Sequence, residues 1–523
     1  MRRAHLLRSW PLFFALGLGC GPVNEPLDLN DVWAGDLVFE QPAQLVQLSR
    51  VSSVAGSLII RTTAELATLS LPGLVRVDGD VIIEKLPMDG PELRVELPNL
   101  LQLGGGVELR DLGVPVTFSA PRLGRADYVR LARGAPKLEL DLLLILRGRL
   151  QVEDAQLDAL AFPSLESVGG EILFRRVRTA DPSGAAEIPV DLPLLREVGR
   201  NLTFAGTTET RFSAPELLTL GGTLELDGAK VALQLDRLNT VDGGLRILES
   251  VFDLDAPALM EVRGRITLAE GVFEGPPRSG RRRGLFLPAL ERVAGSIRVM
   301  DFMGLESFEA PALSSAEGEV VFSGLPDLVL IDLGRVQRIF GDLTVELLFD
   351  LRLTAPELQQ IDGPMRVSTM RKLICELPKL TTVAQDLELS VLEAEVLDLS
   401  GLASVGRSLT LREVAMASDP DLPALRSVGV NLEIDKGSGL RQLDLPLLEQ
   451  IGGGQSDSFG DLRISESSDL VGLQVPRLVR VSNAIEIRDN PRLDPDALEQ
   501  SLSGVGSASR LLCGNGSGDA CPL

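Results

Sequence analysis

Leu287–Val299 reads LPALERVAGSIRV. With Pro288 taken as offset zero, apolar side chains fall at Leu290, Val293, Ile297 and Val299, which are offsets +2, +5, +9 and +11. Leu285 and Leu287 add offsets −3 and −1. The same spacing returns from Pro72 (Leu74, Val77, Val81, Ile83), Pro193 (Leu195, Val198, Leu202, Phe204) and Pro356 (Leu358, Ile361, Met365, Val367). Where Asp236, Gly334 or Ser400 stands in place of the proline, the apolar positions persist. Between Ser49 and Pro476 there are about 18 such units, roughly 22–23 residues apart and longer where insertions fall.

Apolar positions two apart are the period of a strand with one buried face. The steps of three or four between them turn corners. Glycine after the +5 position suits a tight turn, and proline at zero fixes φ at another corner. Each unit therefore reads as a coil of short strands with six inward apolar residues. One coil cannot bury its own face, but the next coil stacked on it can. At about 4.8 Å per parallel strand, such a stack makes a rod of roughly 85 Å. No unit carries ten residues of helical periodicity, and the L-x-x-L-x-L-x-x-N run of ordinary leucine-rich repeats is missing. The expectation is an all-β solenoid over 41–490, preceded by a linker or cap at 20–40. A C-terminal cap with a short helix follows over 491–523, its helix capped by Asp494 or Asp496.

The pattern L-P-x-L-x-x-V-x-G-x-L-x-I resembles the receptor L-domain family, found in insulin and epidermal growth factor receptors and in fungal cell-wall surface proteins. The ending IEIRDNPRLDPDALEQSLSGV, from Ile485, resembles that family's closing turn. The resemblance implies a right-handed β-helix-like solenoid, and a role in recognition or adhesion rather than chemistry.

The start, MRRAHLLRSWPLFFALGLGCGP, puts Arg2, Arg3 and Arg8 before an apolar stretch that ends in small residues and Cys20. It resembles a bacterial lipoprotein signal over 1–19. That resemblance implies acylation of Cys20, for example by palmitate, with export and a membrane anchor. Gly21 after the cysteine implies the outer membrane, where the cell surface is one destination. Gly17 stands where that signal usually has leucine. Cleavage before Cys20 removes His5, the only histidine, and with it Ser-His-Asp and Cys-His catalysis and histidine-bound zinc.

The chain has 523 residues and a formal net charge of −23, which repels phosphate backbones and argues against nucleic acid as a partner. Only 4% of residues are aromatic, so an aliphatic core is expected. The glycine runs at 104–106 and 452–454 fall at the repeat's turn, and no Lys-Ser/Thr follows them. No cofactor or metal is expected.

Four features are candidate sites. Cys513 and Cys521, in LLCGNGSGDACPL, form either a closing disulfide or two free thiols. Cys375, at offset −3, is either a buried core residue or a reactive thiol. The insertion EGPPRSGRRRG brings Arg278, Arg281, Arg282 and Arg283 together, either to grip an anionic glycan or headgroup or as a solvated loop. Offset +10 lies between two inward residues and faces out. It carries Arg246, Arg298, Arg366, Glu388, Glu433 and Arg463, with Arg366 expected beside Glu388 and Glu433 beside Arg463. This strip is either a recognition face or a solubilising ladder. The leading reading is a non-enzymatic envelope lipoprotein that binds a protein or glycan along the solenoid. A structural spacer is one alternative. A β-helix enzyme acting on polysaccharides is the other, although beyond residue 19 the chain has one tryptophan, Trp33, and one tyrosine, Tyr128, to offer sugars.

Overall fold

The computed structural model describes residues 31–62, 66–181, 186–275, 282–417, 422–453, 459–516, 518 and 520–521. The signal at 1–19, Cys20, and Arg278 and Arg281 lie outside the described residues. The fold is an all-β parallel solenoid of about 21 turns with almost no helix.

The turn at Pro288 shows how the repeat folds. The amide of Leu290 donates to the Leu287 carbonyl at 3.2 Å, closing a β-turn with Pro288 at its second position, where a fixed φ is wanted. Arg292–Val293 then pairs with Glu261–Val262 below and Ser315–Ala316 above. Ile297–Met300 pairs with Ile266–Ala269 and Val320–Ser323. Leu285, Leu287, Leu290, Val293, Ile297 and Val299 are all buried.

Repeated along the chain, this gives three ladders. A long ladder at offsets +9 to +12 runs from Leu37–Phe39 to Ser509–Cys513. A two-residue ladder at +4 and +5 includes an unbroken run from Arg125–Ala126 to Arg480–Val481. A third, interrupted ladder occupies −5 to −2, as in Leu93–Glu96 and Val116–Ser119. The solenoid is longer than the sequence indicated, about 21 turns against about 18. The first strand of the long ladder, Leu37–Phe39, falls within the stretch assigned to an N-terminal linker. The last, Ser509–Cys513, falls within the stretch assigned to the C-terminal cap. Neither end carries the full proline motif, yet both offer a strand edge to the neighbouring turn.

Glycine after +5 has a second cause. Gly199 and Gly221 do not have positive φ. Turns stack backbone on backbone there, and a Cβ on Gly221 would come within 2.5 Å of the Gly199 carbonyl oxygen. The core is aliphatic, with phenylalanines paired across turns, as Phe174 on Phe204 with ring centroids 5.0 Å apart.

At the C-terminal end, Asp494 caps the helix Pro495–Leu502 by accepting from the Asp496 amide at 3.0 Å. Asn490 is fully buried, and its side-chain amide donates to Asn515 Oδ1 at 2.9 Å. Asn515 in turn donates to the Ile487 carbonyl at 2.6 Å.

Candidate functional site

The offset +10 residues stand in register, as expected from their spacing. Glu225 faces Arg246, Arg246 faces Thr267, and Thr267 faces Arg298. Further along, Arg366 faces Glu388 and Glu433 faces Arg463. Register does not decide ion pairing. Arg246 pairs with Glu225, and Arg298 with Glu319. Arg463 turns to Asp461 at 2.7 Å and Glu486 at 3.3 Å, not to Glu433. Glu433 instead accepts from Arg412 at 3.4 Å. Asp461 lies two residues before Arg463, just ahead of the strand Leu462–Ser465, and Arg463 reaches back to its carboxylate rather than across to Glu433. Among the described residues, no ion pair within 4.0 Å joins Arg366 to Glu388. The strip is a polar surface of hydrogen-bonding and charged groups at the turn spacing of about 4.8 Å.

Toward the N-terminus the same face carries a network that the sequence reading missed. Glu84 is 1% exposed at its side chain and lies between Arg61 Nε at 2.5 Å and Arg110 Nε at 2.6 Å. Arg110 and Arg130 share Glu108, at 3.2 and 3.0 Å. Arg130 and Arg175 share Glu153, at 3.6 and 3.3 Å. Burial pushes the Glu84 carboxyl up, but hydrogen bonds and charge from Arg110 and Arg61 outweigh it and hold the group below the ordinary value. The signal available in the sequence was opposite charge at offsets +10 and +12 on successive turns, a helical-rod analogue of cross-strand pairing.

A left-handed corner also went unread. Lys85, Asp111, Arg133, Asp154, Arg176, Glu249, Glu270, Asp301, Glu413 and Lys436 all have φ near +50°. Each follows the fourth residue of its long-ladder pairing, and in Val129–Gly134 and Leu150–Leu157 the strand runs on past the corner. Their side chains continue the ionic contacts: Arg133 with Asp111 at 2.9 Å, Arg176 with Asp154 at 2.6 Å, Lys436 with Glu413 at 3.2 Å.

The remaining candidates separate. Cys513 and Cys521 are joined by a disulfide with Cα atoms 4.8 Å apart. Cys375 is buried, and burial first, then Asp398 and Glu376, push its thiol up to about 12, so it is no nucleophile. Arg282 and Arg283 are exposed, and the Arg283 carbonyl accepts from the Glu306 amide at 2.8 Å. Among the described residues, no cluster of three His, Cys, Asp or Glu side chains could hold a metal ion, and no helix is long and apolar enough to cross a membrane.

No family model matches the chain, and no curated protein matches it. Among solved structures it is similar to CroV588, described as a novel circular LRR protein. That match has 9% identity and a TM-score of 0.21, and covers 91% of this chain and 80% of that one. A likeness of this size carries no functional weight, and the solenoid class rests on the strand ladders themselves.

Proposed function

We propose that the chain is an exported, non-catalytic binding protein of the receptor L-domain type. In this reading it is held to a bacterial outer membrane by lipid on Cys20 and takes a protein or glycan ligand along its long ladder. One observation carries the reading: the uninterrupted ladder from Leu37–Phe39 to Ser509–Cys513, with outward residues in register. A flat, repeating polar surface suits an extended partner that repeats at a similar spacing, because each added turn adds contacts without new loops. The test reverses Arg366, Glu388 and Arg463 together and measures pull-down of envelope proteins and glycans. Loss of a captured partner with an unchanged melting curve is expected. Retention of full binding would remove this face. Labelled palmitate should enter the wild type and not Cys20→Ser.

A second reading, a structural spacer, is favoured by the cross-turn ion pairs. They neutralise much of the face internally, as at Glu84 between Arg61 and Arg110. Deletion strains tested for envelope integrity against adhesion separate the two.

A further inference from the structure

The edge between the proline corner and the two-residue ladder changes character along the rod. On the N-terminal turns Val75, Leu101, Leu142 and Leu144 stand out from it, 38%, 46%, 54% and 40% exposed. At the +3 position of later turns most residues are polar, as Glu166, Arg196, Asn239, Glu291, Gln337, Gln359 and Thr381, and the exposed apolar ones, Leu218, Met260 and Val479, stand singly between polar turns. Gly124 opens a one-turn notch between Leu101 and Leu144, where an added Cβ would meet only the Leu142 carbonyl oxygen, at 3.9 Å. Arg122 and Arg125 flank the notch, and Arg147 and Arg149 follow on the next turn, all exposed. A groove of about 450 Å³ runs beside Leu101, Arg122, Gly124, Arg125 and Arg147, and its one carboxylate, Asp78, is held by Arg76 at 2.5 Å. Arg147 meets Asp127 at 3.3 Å, and Arg122 donates to Asn99 at 3.1 Å. Among the described residues, Arg122, Arg125 and Arg149 have no carboxylate within 4.0 Å. In a chain of net charge −23, these three guanidiniums without a paired carboxylate, beside exposed aliphatic side chains, call for a surface both apolar and anionic.

We propose that the edge formed by Val75, Leu101 and Leu144 with Arg122, Arg125 and Arg149 lies on an anionic lipid bilayer. Aliphatic side chains enter the boundary between headgroups and acyl chains, and arginines reach the lipid phosphates. An acidic polysaccharide would satisfy the arginines and leave the leucines in water. Reach is consistent with this. The chain from Cys20 to Asp31 spans at most roughly 40 Å, and the patch lies within roughly 30 Å of the first turn at the parallel-strand spacing. A lipid on Cys20 would thus hold the N-terminal turns along the membrane. This last step rests on the proposed acylation, whereas the patch itself does not.

The test uses the full chain carrying Cys20→Ser, so that no acyl chain contributes, in flotation with two kinds of vesicle. One is equal parts phosphatidylglycerol and phosphatidylcholine, the other phosphatidylcholine alone. Binding to the anionic vesicles is expected, reduced by salt and at least about tenfold weaker on neutral ones. Arg122→Glu/Arg125→Glu/Arg149→Glu should weaken it by at least about tenfold, and Leu101→Ser/Leu144→Ser should weaken it as well. Residues 1–19 are common to every arm, so the differences report the patch. If the glutamate variant does not fold, the corresponding glutamine set is read instead. Equal binding by wild type and variants, or no preference for anionic vesicles, overturns the proposal. So does binding to a soluble polyuronate that the leucine variant leaves intact. Failure of palmitate labelling bears on the anchor alone.

Discussion

Glu84 shows what a single residue contributes to this solenoid. Its carboxylate is buried on an outward face and stays charged because two arginines flank it. Its folded pKa lies below the ordinary value, so its stabilising contribution is fully present above the unfolded pKa. That contribution is lost as pH falls through the folded value, below about 4.3. Glu84→Gln should cost about 1–3 kcal/mol at pH 7 and flatten the loss of stability between pH 5 and 3, as measured by urea titration at several pH values. The same scale separates core from surface. Leu358 and Val293 are fully buried, and Leu358→Ala or Val293→Ala should each cost about 1–4 kcal/mol. Arg282→Glu, at an exposed site, should leave the denaturation midpoint almost unchanged. Equal shifts in both classes would contradict the register.

Among the elements, the left-handed corner distinguishes one turn from the next. Most corners hold a charged residue at φ near +50°, while Gly206, Gly228 and Gly324 fill the same place in other turns. A side chain there carries about 1 kcal/mol of strain that glycine avoids. Glu249→Gly and Glu270→Gly should each raise stability by about 0.5 kcal/mol, strain relief less the added chain entropy. Gly228→Ala has open space around its Cβ and should still cost about 1 kcal/mol through φ alone. Urea midpoints of the three variants check the pattern. Two turns dispense with the corner altogether. Met365–Glu376 and Leu387–Asp398 run on as twelve-residue strands and join the long ladder to the third one, with register shifts where the corner would be.

For the whole molecule, a turn touches mainly its two neighbours, so stability is close to a sum along the rod. The ends should open first. The Cys513–Cys521 disulfide closes on the last strand of the long ladder, Ser509–Cys513. Cys521→Ser should therefore speed hydrogen exchange of amides in 509–513 and leave protection in Leu343–Leu348 unchanged. A uniform rise along the chain would show that the rod unfolds as one unit instead.

The inward positions were legible in the sequence because burial repeats. Leu290, Val293, Ile297 and Val299 can be read from spacing alone, since a strand with one buried face must alternate. The in-register outward strip followed from the same parity. Turn count at the ends was not legible, because Leu37–Phe39 and Ser509–Cys513 are strands by virtue of the edge they meet, not through a motif of their own. The partners of Arg463, the burial of Glu84 and the left-handed corners were likewise undetermined. Spacing places a side chain on a face, but which carboxylate it reaches depends on rotamer and on distances between turns. The amphiphilic edge at Leu101, Arg125 and Leu144 belongs to the same class. Its residues come from successive turns about twenty residues apart, and only stacking turns them into one surface.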